Sequence, residues 1–253
     1  ELTEPSPLLS DALNASREGT VGAWGDAPNK PAREKALSYG NVSYLYPSTR
    51  AILIDRDLAK RFEIQPLSTD NEITGVAVIH GKRKLTIDRP NMPFLKAQMS
   101  HLRRYADLRD DRLSEIQVQI DDILSFFGAI HHLDDERRQY TLELLTALVR
   151  LCIEVEMEVK HILSVPRPIE LTGAVQPLIQ TPDHGSFPSG HATESSALAM
   201  ALFVLSHGAG DYPDSLEART AVRIAQNRTV AGVHTRWTAR QGMSWGGFWW
   251  AVS

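Results

Sequence analysis

Two rhythms of apolar and polar positions run along this chain, and the change from one to the other falls near Pro93. Before it, Val76 and Val78, then Leu85 and Ile87, alternate with smaller or polar residues. That is the two-residue period of a half-buried strand. Gly81-Lys82 supplies a turn between the two runs, so residues 72–88 are expected to form a β-hairpin. After Pro93 the period lengthens to that of a helix. Leu113, Ile116, Ile120, Ile123 and Phe127 fall on one face of an expected helix over residues 110–130. Asp134-Asp135-Glu136 reads as an acidic helix start, favourable against the positive end of the dipole. Leu144, Leu148, Leu151, Val155, Val159 and Ile162 then carry one stripe to Leu163, where Pro166 and Pro168 stop it. Further helices are expected over residues 49–62, 190–207 and 215–231.

Residues 1–48 are rich in Pro, Ser, Asn and Gly and show no sustained period, which points to an extended N-terminal arm. Residues 49–253 are then one helical domain. The fold class expected is all-α: a helical bundle with a small N-terminal β-hairpin and the arm.

Composition narrows the picture a little. The chain has 253 residues, 42% apolar and 23% charged, which suits a globular protein. A net charge of -4 with scattered cations points away from a nucleic-acid partner. The single cysteine, Cys152, excludes an intrachain disulfide. The best apolar run, residues 197–205, is about half of what crosses a bilayer. No membrane span is therefore expected, and the chain reads as soluble, with its compartment left open and an exported or periplasmic place among the options. His131-His132 beside Asp134-Asp135 hints at a metal site, but adjacent side chains point apart and a polar helix junction explains them better.

Three short motifs carry candidate chemistry. The first is Lys160 followed by Arg167-Pro168; alone, cations near a helix C-terminus usually serve the dipole. The second, Pro188-Ser189-Gly190-His191-Ala192-Thr193, opens an apolar helix. Ser189 can be read as an N-cap. Gly190 is a poor helix former there, but bare backbone lets an anion reach the first N–H groups of the helix. The third is Asn227-Arg228 with His234 six residues beyond the arginine; alone it reads as a basic helix terminus.

In this order and at these spacings the motifs resemble the superfamily that joins vanadium-dependent haloperoxidases to type 2 phosphatidic acid phosphatases. Its pattern is Lys, six residues, Arg-Pro; then Pro-Ser-Gly-His; then Ser-Arg, five residues, His. The chain matches at Lys160, Arg167, Pro168, Pro188, Ser189, Gly190, His191, Arg228 and His234, and departs at Asn227, where Ser is usual. The resemblance covers roughly residues 140–234. It implies a bundle of the haloperoxidase/acid phosphatase type and a cage in which Lys160, Arg167, Ser189, Gly190 and Arg228 bind vanadate or phosphate. It makes His234 the phosphoryl nucleophile or the ligand of the vanadium, and His191 the acid–base partner. His184, seven residues before His191, resembles a histidine that vanadium bromoperoxidases carry at that offset; the other reading is an exposed loop residue.

The expected activity is accordingly a vanadate-dependent haloperoxidase, oxidising bromide with H2O2. The alternatives are a soluble acid phosphatase acting on a phosphate ester through a phosphohistidine, and a catalytically impaired oxyanion-binding protein. A homo-oligomer is implied by the resemblance alone.

The family usually has an acidic residue four positions after this last histidine, where Thr238 stands. Residues 235–253 also hold four of the five tryptophans, Trp237, Trp245, Trp249 and Trp250. A shifted reading frame accounts for both features. One choice among the codons permitted for residues 236–243, CGG TGG ACA GCG CGG CAG GGC ATG preceded by C, reads CCG GTG GAC AGC GCG GCA GGG CAT in the shifted frame. That spells Pro-Val-Asp-Ser-Ala-Ala-Gly-His and places an aspartate at position 238. The other reading is a native tail that packs its aromatics on the bundle; codons incompatible with the shift would decide for it.

Overall fold

A helix apolar on every side must be surrounded by others, and residues 190–207 are such a helix. The computed structural model describes residues 42, 45–208 and 212–250. The chain forms two compact units, residues 1–45 and 46–253, and every element below belongs to the second. The expected arm lies almost wholly outside the described residues; its last two positions, Pro47 and Ser48, already open a helix.

The elements run α1 (Pro47–Ala59), β1 (Phe62–Thr69), β2 (Glu72–His80), β3 (Arg83–Asp88), α2 (Met92–Ala97), α3 (Met99–Ala106), α4 (Arg109–Val118), α5 (Leu124–Gly128), α6 (Gln139–Leu163), α7 (Pro168–Leu171), α8 (Gly190–His207), α9 (Leu216–Val230) and α10 (Arg236–Trp250). The fold is mostly helical with one small antiparallel sheet. Helix α8 is the hub, packed against α10, α9 and α6. Leu198, Ala199, Ala201 and Leu202 on α8 meet Leu145, Ala221 and Ile224 in one apolar cluster.

The expected hairpin is β2–β3, joined at Gly81, whose φ of 56° suits the turn. A third strand, β1, pairs with the other edge of β2 and makes a sheet of order β1-β2-β3. Asp70 and Asn71, with φ of 52° and 65°, form the two-residue turn between β1 and β2. Pro66 disguises β1 in the sequence, and an edge strand tolerates it because one side of its backbone needs no ladder partner. Val76, Ala77 and Val78 of β2 are fully buried.

The helix expected over residues 110–130 is two, α4 and α5. Its stripe does not hold together: Leu113 and Ile120 are exposed, while Ile116 and Phe127 are buried. The chain turns at residues 119–123, and Asp122 restarts it by accepting the Ser125 N–H at 2.9 Å. The acidic run at 134–136 is a turn before α6 rather than its first turn; Asp134 Oδ1 accepts the Arg137 N–H at 2.7 Å. Helix α6 buries Leu151, Val155, Val159 and Leu163 as expected, but Leu144 faces out. It ends at Ser164 in the left-handed conformation, and Arg89 Nε donates to the Leu163 carbonyl at 2.7 Å. The helix expected over residues 190–207 is α8, with the same bounds. His131 joins α9 rather than a metal cluster, its Nε2 lying 2.9 Å from Glu217 Oε1.

The tail forms α10. Trp245 is buried in the core with Val76, Ile87 and Val155, and the Trp237 ring lies 4.5 Å from Phe187 and 5.5 Å from Phe94. Gly242 lets α10 approach α8 closely: a Cβ there would stand 2.8 Å from the Ser189 carbonyl oxygen and 2.9 Å from Ala192 Cβ. Gly242→Ala should therefore destabilise by ~1–3 kcal/mol through overpacking, even though alanine is the better helix former. Calorimetry checks the sign: a lowered thermal midpoint is expected, whereas a raised one would mean that α10 does not sit on α8.

Candidate active site

Seven of the eight candidate site residues border one cavity of about 230 Å³: Lys160, Arg167, His184, Gly190, His191, Arg228 and His234. The eighth, Ser189, is fully buried beside them. Their backbone supports are different. Lys160 is on the last turn of α6, Arg167 just ahead of α7, Gly190 and His191 open α8, Arg228 is in the last turn of α9, and His234 lies in the loop before α10. Helix ends converge on the cavity, so backbone dipoles and side-chain charges act at one place.

His234 is 5% exposed and held at both ends. Its Nδ1 lies 2.9 Å from the Ser186 carbonyl oxygen, which can only accept, so Nδ1 carries the proton. Nε2 then keeps its lone pair and accepts from Arg167 Nη1 at 3.4 Å. Thr238, where the family has an acid, brings its Oγ1 only to 3.5 Å from Nδ1. The backbone carbonyl therefore fixes the tautomer without the carboxylate. Burial, then Arg167, Lys160, Arg228 and His191, hold this imidazole well below the ordinary histidine range.

The two arginines have different duties. Arg167 donates to the carbonyls of His184 and Val233, both at 3.0 Å, and of Gly185 at 3.4 Å. It stitches the loop around the cavity, and most of its donors are used. Arg228 is 3% exposed, and its Nε and Nη2 have no hydrogen-bond partner among the described residues. Burial lowers both guanidiniums to about 10, still charged at neutral pH.

Ser189 occupies the N-cap position of α8 but makes no side-chain cap; its Oγ is buried without a partner among the described residues. The capping explanation of that serine is therefore excluded by the geometry. His184 is not a free loop residue either: it lines the cavity, with Nδ1 3.1 Å from the Gly185 carbonyl and 3.3 Å from Arg167 Nη2. His191 is less free than expected, because its Nε2–H is taken by the Gln119 carbonyl. That contact also explains why the chain turns at residue 119. Asn227 faces α4 rather than the cavity; its Nδ2 donates to Glu115 Oε2 at 2.9 Å and its Oδ1 accepts from Arg112 at 3.2 Å. The larger amide thus braces α9 on α4, which a serine would be too short to do.

Two carboxylates that the motifs do not include line the same cavity, Glu156 and Glu194. Glu156 Oε1 accepts from Lys160 Nζ at 2.6 Å, both side chains being 3% exposed. A Cβ on Gly190 would stand 2.5 Å from that same oxygen and 3.2 Å from Glu194 Oε1. A side chain at residue 190 would have to displace these carboxylates, so glycine leaves them room at the start of α8. A sequence signal for them existed: Glu156 precedes Lys160 by one helical turn on the buried stripe, and Glu194 is the only acid in an otherwise apolar helix.

Residues 140–253 match the PAP2 superfamily model. The match runs through the aromatic tail, beyond the region that the motifs cover. No curated protein matches the chain. A solved structure, the first transmembrane PAP2 type phosphatidylglycerolphosphate phosphatase from Bacillus subtilis, is similar at 15% identity, covering 83% of this chain and 98% of that one, with a TM-score of 0.45. Neither likeness singles out the bromide-oxidising branch. The expectation of a soluble, exported or periplasmic chain is withdrawn beside this likeness to a transmembrane protein, although no described helix is long and apolar enough to cross a membrane.

Burial, and then the neighbouring Glu156 carboxylate, push Glu194 up to about 8, against Lys160 and Arg228. An acid raised in the folded state contributes stability that is complete below its ordinary 4.5 and lost as pH rises through about 8. His191, held at about 3, and His234 act oppositely, since they lose stability as pH falls below 6.5. Cys152, another buried neighbour, stays a thiol, raised by burial and both carboxylates. Glu194→Gln removes only the alkaline loss. Its thermal midpoint relative to the parent should be higher at about pH 9 than at about pH 5; parallel profiles would contradict the assignment.

Proposed function

We propose that this PAP2 superfamily domain is a phosphatase that cleaves a phosphate monoester through a phosphohistidine on His234. The observation that carries the reading is the set of buried donors without partners among the described residues, Ser189 Oγ and Arg228 Nε and Nη2, beside a histidine that lines the same cavity and keeps the Nε2 lone pair. Buried donors in such a place are costly unless an acceptor with several oxygens arrives. A phosphoryl group is one, and charge-assisted hydrogen bonds to it are worth about 1.5–3 kcal/mol each. Lys160 adds a point charge and Gly190 a backbone N–H at the positive end of α8.

In the first step His234 Nε2 forms a bond to phosphorus and the P–O bond to the alcohol breaks. Nδ1–H stays on the Ser186 carbonyl, which steadies the positive ring that results. The departing alkoxide needs a proton. His191 Nε2–H is engaged by Gln119, whereas Glu194 lines the cavity and holds a proton at neutral pH. Glu194 therefore protonates the leaving oxygen, then takes a proton from the water that attacks phosphorus. The P–N bond breaks and returns the lone pair to Nε2. The cage stabilises the five-coordinate geometry of both steps.

A haloperoxidase remains the second reading, favoured by one observation, the place of His184 on the cavity wall. Lys160, Arg167, Ser189, Gly190, Arg228 and His234 fit vanadate as well as phosphate, and vanadate would supply activation of peroxide toward halide.

Purified protein should hydrolyse para-nitrophenyl phosphate and, when quenched, carry an acid-labile phosphate. His234→Ala should abolish both, and Arg228→Ala should lower kcat by roughly 10²–10³. Vanadate-dependent bromination with H2O2 in place of hydrolysis would establish the second reading. Neither activity would leave an impaired oxyanion-binding protein.

A further inference from the structure

A buried acceptor without a donor is as telling as a buried donor without an acceptor. Glu156 Oε2 is such an atom: its partner oxygen is committed to Lys160, and Oε2 itself has no hydrogen-bond partner among the described residues. It belongs to a side chain that is 3% exposed and borders the cavity. A counter-ion for Lys160 alone does not need its second oxygen stranded there. Around it stand Lys160 one turn on and Cys152 one turn back on α6, Glu194 and His191 on α8, and Arg228 on α9. Among these, Lys160 already binds Oε1, and Gly190 presents its backbone on the same side.

We propose that Glu156 is a specificity residue of the cage: its free carboxylate oxygen accepts a hydrogen bond from a protonated oxygen of the bound anion. The proposal rests on the oxyanion reading of the cavity made above. Burial raises the Glu156 carboxyl and the Lys160 ammonium lowers it; paired with that ammonium at 2.6 Å, the ionised carboxylate can only accept, so it repels a bare oxyanion oxygen and welcomes a P–OH. Hydrogen phosphate and phosphomonoester monoanions carry such a hydrogen. Sulfate, of the same shape and charge, carries none near neutral pH. The donors Ser189, Gly190 and Arg228 recognise what the two anions share, and Glu156 recognises what separates them. The substrate is therefore taken as a protonated phosphate, with its proton on the oxygen next to α6.

The test is calorimetric binding of inorganic phosphate and of inorganic sulfate to the intact protein at neutral pH and fixed ionic strength. Sulfate should bind roughly tenfold or more weakly, the order of one hydrogen bond to a charged group. Glu156→Gln keeps the size but supplies an N–H donor, and should bring the two affinities to within about threefold of each other, mainly by improving sulfate. Should that variant fail to fold, the parent's own ratio still decides. Equal binding of phosphate and sulfate by the parent, or an unchanged ratio in a folded Glu156→Gln, overturns the proposal and leaves the cage intact. Binding of neither anion overturns both.

Discussion

Cations taken out of water must be met by something, and that constraint organises everything around α8. Lys160, Arg167 and Arg228 are each about 3% exposed or less. Such burial is strongly unfavourable without compensation. The compensation is uneven, and the unevenness is informative. Arg167 is met by three backbone carbonyls, Lys160 by Glu156, and Arg228 by no described residue at two of its nitrogens. The first two arrangements build the cavity. The third leaves a charge to be satisfied by whatever enters.

The same accounting places the histidines. Carbonyl groups that leave a helix ladder or a loop are taken up by imidazole N–H groups: Ser186 for His234, Gln119 for His191. Each contact chooses a tautomer and sets which nitrogen is left to act. For His234 the Ser186 carbonyl fixes the ring from Nδ1 at 2.9 Å, so a threonine at position 238 does not disorient it. It does leave the ring without a carboxylate neighbour, so on the phosphohistidine reading a positive ring there would be stabilised by a dipole rather than by a charge.

Much of this was legible in the sequence because it depends on local pattern. Helix α8 announced itself by its apolar run, β2 and β3 by alternation, and the cavity residues by motifs whose order and spacing resemble the pattern of a known superfamily. What escaped depends on contacts between distant segments. Strand β1 contains Pro66, which local rules read against a strand until its edge position is known. The break after α4 follows from Gln119 meeting His191, 72 residues away. Glu156 and Glu194 were missed because a motif reading attends to cations around an anion, and acids inside such a cage look out of place until the geometry puts them against Gly190. The tail's frame is a matter for the gene, but its helix has a seat: Trp245 in the core and Gly242 against α8.

The central claim is that the cavity holds one oxyanion with His234 Nε2 as the atom that bonds to it. A crystal structure of the protein soaked with orthovanadate measures this directly. The expected result is vanadium bonded to His234 Nε2, with oxygens on Ser189 Oγ, the Gly190 N–H and the Nε and Nη2 of Arg228. Vanadate bound elsewhere, or a cavity that stays free of it while His234 keeps both of its present contacts, would contradict the account.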